Sequence, residues 1–171
     1  MNVFITSGTY DFLKLKKDKH PNEKILLMQN AQNTVLLHET TGKTLFSSPR
    51  KYEVVDGKGT LQDHGYVVMN NIPVSEEGRP VFEHRFKNRA GLIENEPGFV
   101  ALRILRPINS ETYVILTIWE KQSDFMNWKK SSSFQQAHNS ESKPPITNSS
   151  QKLFSGEAFV TQYTLVKDSE E

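Results

Sequence analysis

Gly65-Tyr66-Val67-Val68-Met69-Asn70-Asn71-Ile72-Pro73-Val74 decides how this chain folds, because it fixes the first element of a repeating pattern. The run is apolar and β-rich, and it reads as a strand. Ser75 follows as an N-cap for a helix extending to about Ala90, which Gly91 closes. Within that helix Val81, Phe82 and Phe86 define an amphipathic surface, and Arg85 and Arg89 share a face at i,i+4. After the turn Glu96-Pro97-Gly98, Phe99 to Leu105 and Thr112 to Trp119 read as a hairpin joined by Pro107-Ile108-Asn109-Ser110. A second helix is predicted from Ser123 to about Lys130, with another turn over Phe134 to His138. Ala158 to Val166 returns as a strand. The order is βαββαβ, the ferredoxin-like α+β arrangement in which an antiparallel sheet carries both helices on one face. Between His138 and Ala158 the chain is polar and broken by Pro144-Pro145, which predicts a mobile loop able to cover a ligand.

Working back towards the N-terminus, the texture stays strand-rich. A strand is predicted at Val3 to Thr6 and a helix from Tyr10 to Lys19, ended by His20-Pro21. Ile25 to Met28, Thr34 to Leu37, Thr44 to Phe46 and Lys51 to Val55 read as strands, with turns at Thr41-Gly42 and Asp56-Gly57-Lys58-Gly59. The reading divides the chain into residues 1–64, a strand-rich module that completes a β-barrel, and residues 65–171, the ferredoxin-like domain.

Composition narrows the chemistry. The 171 residues are 36% hydrophobic and 24% charged, with a formal net charge of +1, so no global field favours nucleic acid or an acidic membrane. Zero cysteines remove disulfides, thiolate metal sites and cysteine nucleophiles. Neither a secretory signal nor an apolar run approaching about 20 residues is present, and the expected location is the cytoplasm.

The densest functional pattern is Trp119 to His138, W-E-K-Q-S-D-F-M-N-W-K-K-S-S-S-F-Q-Q-A-H. A neutral imidazole closing such a run can bind iron, and an indole upstream can press on a flat ligand. Singly, each residue has a plainer reading: His138 as a helix-end charge, Trp128 as core, Asn70 as an edge residue satisfying backbone groups, Arg85 and Arg89 as a solvated helix face. His20, His38, His64 and His84 carry no catalytic context.

Taken together, V-M-N-N-I-P-V, R-F-K-N-R and the Trp119–His138 run resemble bacterial heme-degrading monooxygenases of the antibiotic-biosynthesis-monooxygenase (ABM) fold. The whole chain, with its G-T-Y-D-F-L and S-P-R-K-Y-E-V segments, is similar to the longer HmoB-type branch, which also bears the name of a signal transduction protein, TRAP. The resemblance implies a catalytic set of Asn70, Trp128 and His138, with His138 as axial ligand to the heme iron. Only one of Asn70 and Asn71 can face the cleft, and the family pattern selects Asn70. It further implies Arg85 and Arg89 near the heme propionates, and Phe82, Phe125, Phe134 and Ile118 as apolar walls. Heme would be substrate and cofactor, with O2 as co-substrate. No dinucleotide motif is present, so electrons would come from an external donor such as a separate reductase. Expected partners exclude nucleic acid and stable membrane insertion. The expected state is a monomer that imitates the dimer of shorter relatives, its N-terminal half a degenerate module. Alternatives are a heme-binding or sensing protein without turnover, a signalling protein using histidine phosphorylation, and a cofactor-free monooxygenase of the same fold.

Overall fold

In the computed structural model, residues 1–89, 93–131 and 153–167 are described. The first half runs β1 (Asn2–Gly8), α1 (Tyr10–Asp18), β2 (Lys24–Gln29), β3 (Thr34–Thr40) and β4 (Arg50–Gly59). The second runs β5 (Tyr66–Pro73), α2 (Arg79–Arg89), β6 (Phe99–Ile108), β7 (Thr112–Trp119), α3 (Gln122–Lys129) and β8 (Phe159–Leu165). The strands close into an antiparallel barrel in the order β1-β3-β2-β8-β5-β7-β6-β4, with β4 returning to β1. Closure removes the free edges that an open sheet would expose.

The barrel order contains the same pattern twice. Cut at two joints, it reads β4-β1-β3-β2 and β8-β5-β7-β6, the ferredoxin-like strand order in each half. Val3 pairs with Tyr52 as Val67 pairs with Tyr163, and Ile5 pairs with Leu37 as Met69 pairs with Leu116. In this equivalence Thr6 stands where Asn70 stands. The joints differ in extent: β4 runs along β6 for most of its length, whereas β2 meets β8 only at Met28–Leu165 and Gln29–Thr164.

Period-two alternation sorts every strand between two surroundings. Val3, Ile5, Leu26, Met28, Leu37, Val67, Met69, Leu105, Leu116 and Tyr163 point into the lumen and fill it. The outward faces carry the helices: α2 and α3 cover Val68, Ile72, Tyr113 and Trp119, while α1 and Phe46 cover Phe4, Ile25, Leu27 and Leu36. Each such side chain taken from water contributes about 1.5–3 kcal/mol of transfer free energy. The lumen also holds an ion pair. Arg103 Nε lies 2.7 Å from Glu39 Oε2, with 11% of each side chain exposed, and Arg103 donates as well to the carbonyls of Lys58 and Leu102. Gly57 makes room for it, since a Cβ there would sit 3.1 Å from Arg103 Cδ.

Three sequence expectations need correction. Asp56-Gly57-Lys58-Gly59 is the end of β4 and not a turn: the register shifts at a bulge between Val54 and Asp56, and Gly59 adopts φ +71° where a Cβ would meet the Val100 carbonyl at 2.0 Å. Thr44 to Phe46 forms no strand, and Phe46 instead drops into the α1-side core. Ser75 does cap, but its hydroxyl accepts from Gly78 at the end of a short 3-10 turn, Glu76–Gly78, ahead of α2. The expected turn over Phe134–His138 and the loop up to residue 152 lie outside the described residues.

Candidate functional site

Adjacent asparagines on β5 meet opposite environments. Asn71 faces the lumen side, 4% exposed, and its amide donates to Met69 O, Phe159 O and Thr161 Oγ1 at 3.1–3.2 Å. Asn70 shares the outward face with Val68 and Ile72, is half-buried, and its side chain makes no hydrogen bond among the described residues. One amide is consumed by the fold; its neighbour is left with donors and an acceptor to offer.

The face around Asn70 is apolar: Val68, Ile72 and its β7 partner Ile115 are 5%, 6% and 8% exposed. It opens on the β8 side, where the register partner of Asn70, Val160, is 52% exposed. At one end of this floor α3 holds Trp128 half-buried, its ring 5.6 Å from Trp119 and 6.3 Å from Phe125. Stacking against two aromatics restricts the indole to a narrow range of tilts. Tyr66, also on this face, donates its hydroxyl to Gln162 Oε1 and is approached by Gln122 from the start of α3. Burial pushes the Tyr66 hydroxyl pKa up, so it remains a donor.

At the other end α2 is anchored by one carboxylate. Glu83 accepts from both nitrogens of an Arg106 fork and from the Tyr113 hydroxyl, and Arg106 also meets Glu53. The hydrogen bonds from Arg106 hold the Glu83 carboxyl below the usual carboxylate range. Burial, followed by the adjacent Glu83 carboxylate, drives the Tyr113 hydroxyl pKa upward. With Phe82 packed on Tyr113 at 4.6 Å, Glu83 leaves the helix towards β6, and 3.6-residue periodicity turns Arg85 to the opposite side of α2. Arg79 lies over the Tyr113 ring at 5.7 Å and donates to Ser110 O.

The residues singled out from the sequence therefore divide. Asn70 and Trp128 belong to the outward, helix-bearing face of the second-half sheet, and Arg85 is half-buried on α2. Phe82 and Phe125, 2% and 5% exposed, pack into the helix–sheet core. Ile118 points into the lumen and forms no wall of the cleft, because strand alternation pairs it with Val67 on the inner face. His138, Phe134 and the Arg89 side chain lie outside the described residues. Sequence reasoning missed Gln162, Tyr66 and the Glu83–Arg106–Tyr113 cluster. Their partners come from distant strands, and no local spacing marks them.

Elsewhere, two polar cavities of about 450 and 440 Å³ open beside Lys17, His20 and Asp63 and beside Asn30–Thr34. Neither touches Asn70 or Trp128. His38 is fully buried between Phe4 and Phe46, with Nε2 2.7 Å from Glu23 Oε1. The first-half face that corresponds to the Asn70 face is thus filled by Phe46 and His38, with Thr6 in place of the amide. No helix is long and apolar enough to cross a membrane among the described residues.

Comparison with known proteins agrees with the resemblance read from the sequence. Residues 65–140 match the family described as antibiotic biosynthesis monooxygenase. A heme-degrading monooxygenase of Listeria monocytogenes is 28% identical over 129 residues, which cover 75% of this chain and 77% of that protein. A Staphylococcus epidermidis protein named signal transduction protein TRAP is 26% identical over 134 residues, 78% of this chain and 80% of its own. Among solved structures, a major regulator of staphylococcal pathogenesis superposes with a TM-score of 0.83 at 24% identity, covering 98% of this chain and 100% of its own. The heme-degrading enzyme LmHde from Listeria monocytogenes gives 0.73 at 23% identity, covering 97% and 100%. These two superpositions establish the shared fold.

Proposed function

We propose, from the ABM domain over residues 65–140, that this chain is a heme-degrading monooxygenase, using heme as substrate and cofactor, O2, and electrons from an external donor, in the cytoplasm. The observation that supports the reading is the unengaged Asn70 side-chain amide on the apolar outward face that also carries the braced Trp128 indole. A porphyrin has the matching chemistry: a wide apolar disc with carboxylates on one edge and a metal at its centre. Bound heme supplies the iron at which dioxygen is reduced and is itself the ring that is opened.

In this reading His138 would hold the heme iron, and Asn70 would offer its amide from the sheet. The Asn70 N–H is a fixed donor to an oxygen acceptor on that side, and the apolar floor of Val68 and Val160 keeps its hydrogen bond strong by limiting water. Trp128 presses on the ring. Its contacts with Trp119 and Phe125 would keep the indole from yielding to a ring seated against it. Arg85 and Arg89 suit the propionates, because a guanidinium pairs with a carboxylate in a planar fork. Phe82, Phe125 and Phe134 supply apolar support.

The equivalence of the halves favours one site per chain. Residues 1–64 act as the degenerate module of a pseudo-dimer, and residues 65–171 keep the heme site. Hemin titration followed by light scattering tests both points: one equivalent should bind to a monomer with a Soret band that His138→Ala abolishes or shifts. Two equivalents, a stable dimer, or a spectrum indifferent to His138 would count against the reading. A heme sensor or signalling protein would differ by keeping its Soret band when reductant and oxygen are added.

A further inference from the structure

Gln162 on β8 is the second amide of the cleft floor. Alternation places it outward with Val160, since Thr161 and Tyr163 turn towards the lumen side. Val160 lies directly opposite Asn70, so Gln162 is its diagonal neighbour, with Cα atoms about 7–8 Å apart. The orientation of the Gln162 amide is set by a directional chain. Gln122 reaches the Tyr66 hydroxyl, and Tyr66 donates its proton to Gln162 Oε1. With the carbonyl oxygen taken, the Nε2 protons are the unspent end, and they have no hydrogen-bond partner among the described residues. Between the two amides the floor offers only Val68 and Val160. Asn30 Nδ2 donates to the Gln162 carbonyl at 3.0 Å from the β2 side, while on the outward face Gln162 is half-buried and Thr164, the next outward residue of β8, is exposed.

We propose that Gln162, oriented by Tyr66, is a positioning residue that donates a hydrogen bond to a carboxylate arm of the heme while Asn70 lies under the ring centre. The assignment rests on the heme reading above. It follows from spacing and exposure: a donor displaced from Asn70 by about one diagonal step reaches the rim of a porphyrin and not its centre, and charged arms belong at the rim where water can reach them. Because the donor is neutral, it selects the ring's orientation, whereas the α2 arginines attract charge.

The test is quenching of Trp119 and Trp128 fluorescence by hemin and, separately, by hemin dimethyl ester, whose arms carry no charge. For wild type against Gln162→Leu, the expected result is about a tenfold loss of hemin affinity, in the range of a hydrogen bond to a charged group, and less than a twofold loss for the ester. Tyr66→Phe, which frees the amide to turn over, should give an intermediate loss for hemin alone. Gln162→Glu should bind hemin worse at pH 8 than at pH 5, as like charges meet. Equal losses for hemin and ester, or unchanged hemin affinity in Gln162→Leu with wild-type melting behaviour, would overturn the proposal while leaving the heme reading intact. Absence of quenching in wild type would overturn both.

Discussion

Asn70 and Asn71 show how far a single position can be argued. Their separation onto opposite faces follows from strand periodicity alone, but what each face offers does not, because two of the Asn71 partners lie 88 and 90 residues away on β8. The consequences should separate cleanly. Asn71→Ala removes a buried amide that satisfies two carbonyls and a hydroxyl, and it should lower stability by about 2–3 kcal/mol in urea denaturation. Asn70→Ala should change stability by no more than about 0.5 kcal/mol while slowing hemin breakdown. The reverse pattern would transfer the functional role to Asn71. His138 was legible only through resemblance, since a lone imidazole after a helix has several uses. Gln162 was not legible at all, for its meaning depends on a hydroxyl that folding brings from Tyr66.

Glu83 ties helix α2 to Arg106 and Tyr113 beside the buried Phe82, and this gives its seating a pH-dependent component. The Glu83 carboxyl is held low by Arg106, so its stabilisation is fully present above the ordinary carboxylate range and is lost as pH falls from there through the folded-state value. Wild-type thermal stability should decline on acidification through that window, and Glu83→Gln should flatten the component. Tyr113→Phe, which deletes one donor to the same carboxylate, should cost about 1.5–3 kcal/mol. The strands β5, β6 and β7 were readable as apolar, β-rich runs bounded by turn residues, since both of their faces are buried. Asp56-Gly57-Lys58-Gly59 misled for a physical reason: aspartate and glycine are turn formers in isolation, yet here a bulge and the Arg103 side chain require them inside a strand.

Barrel closure makes the two halves one cooperative structure. Lumen residues come from both, and the Arg103–Glu39 pair joins β6 to β3 across the interior. Removing one partner, as in Glu39→Ala, should cost about 3–5 kcal/mol because it strands a desolvated charge. Residues 65–171 alone would expose the β6 and β8 edges that β4 and β2 cover, so that fragment should dimerise or aggregate, and a well-folded monomer in ultracentrifugation would contradict the pseudo-dimer account. Such a design, in which one half is filled and the other keeps an open face, has one functional consequence above all others. Hemin-loaded protein should lose its Soret band on addition of ascorbate and oxygen with catalase present, releasing chelatable iron, and Asn70→Ala and Trp128→Phe should each slow the loss. A Soret band that persists under those conditions, or bleaching that catalase abolishes, would contradict heme degradation by this chain.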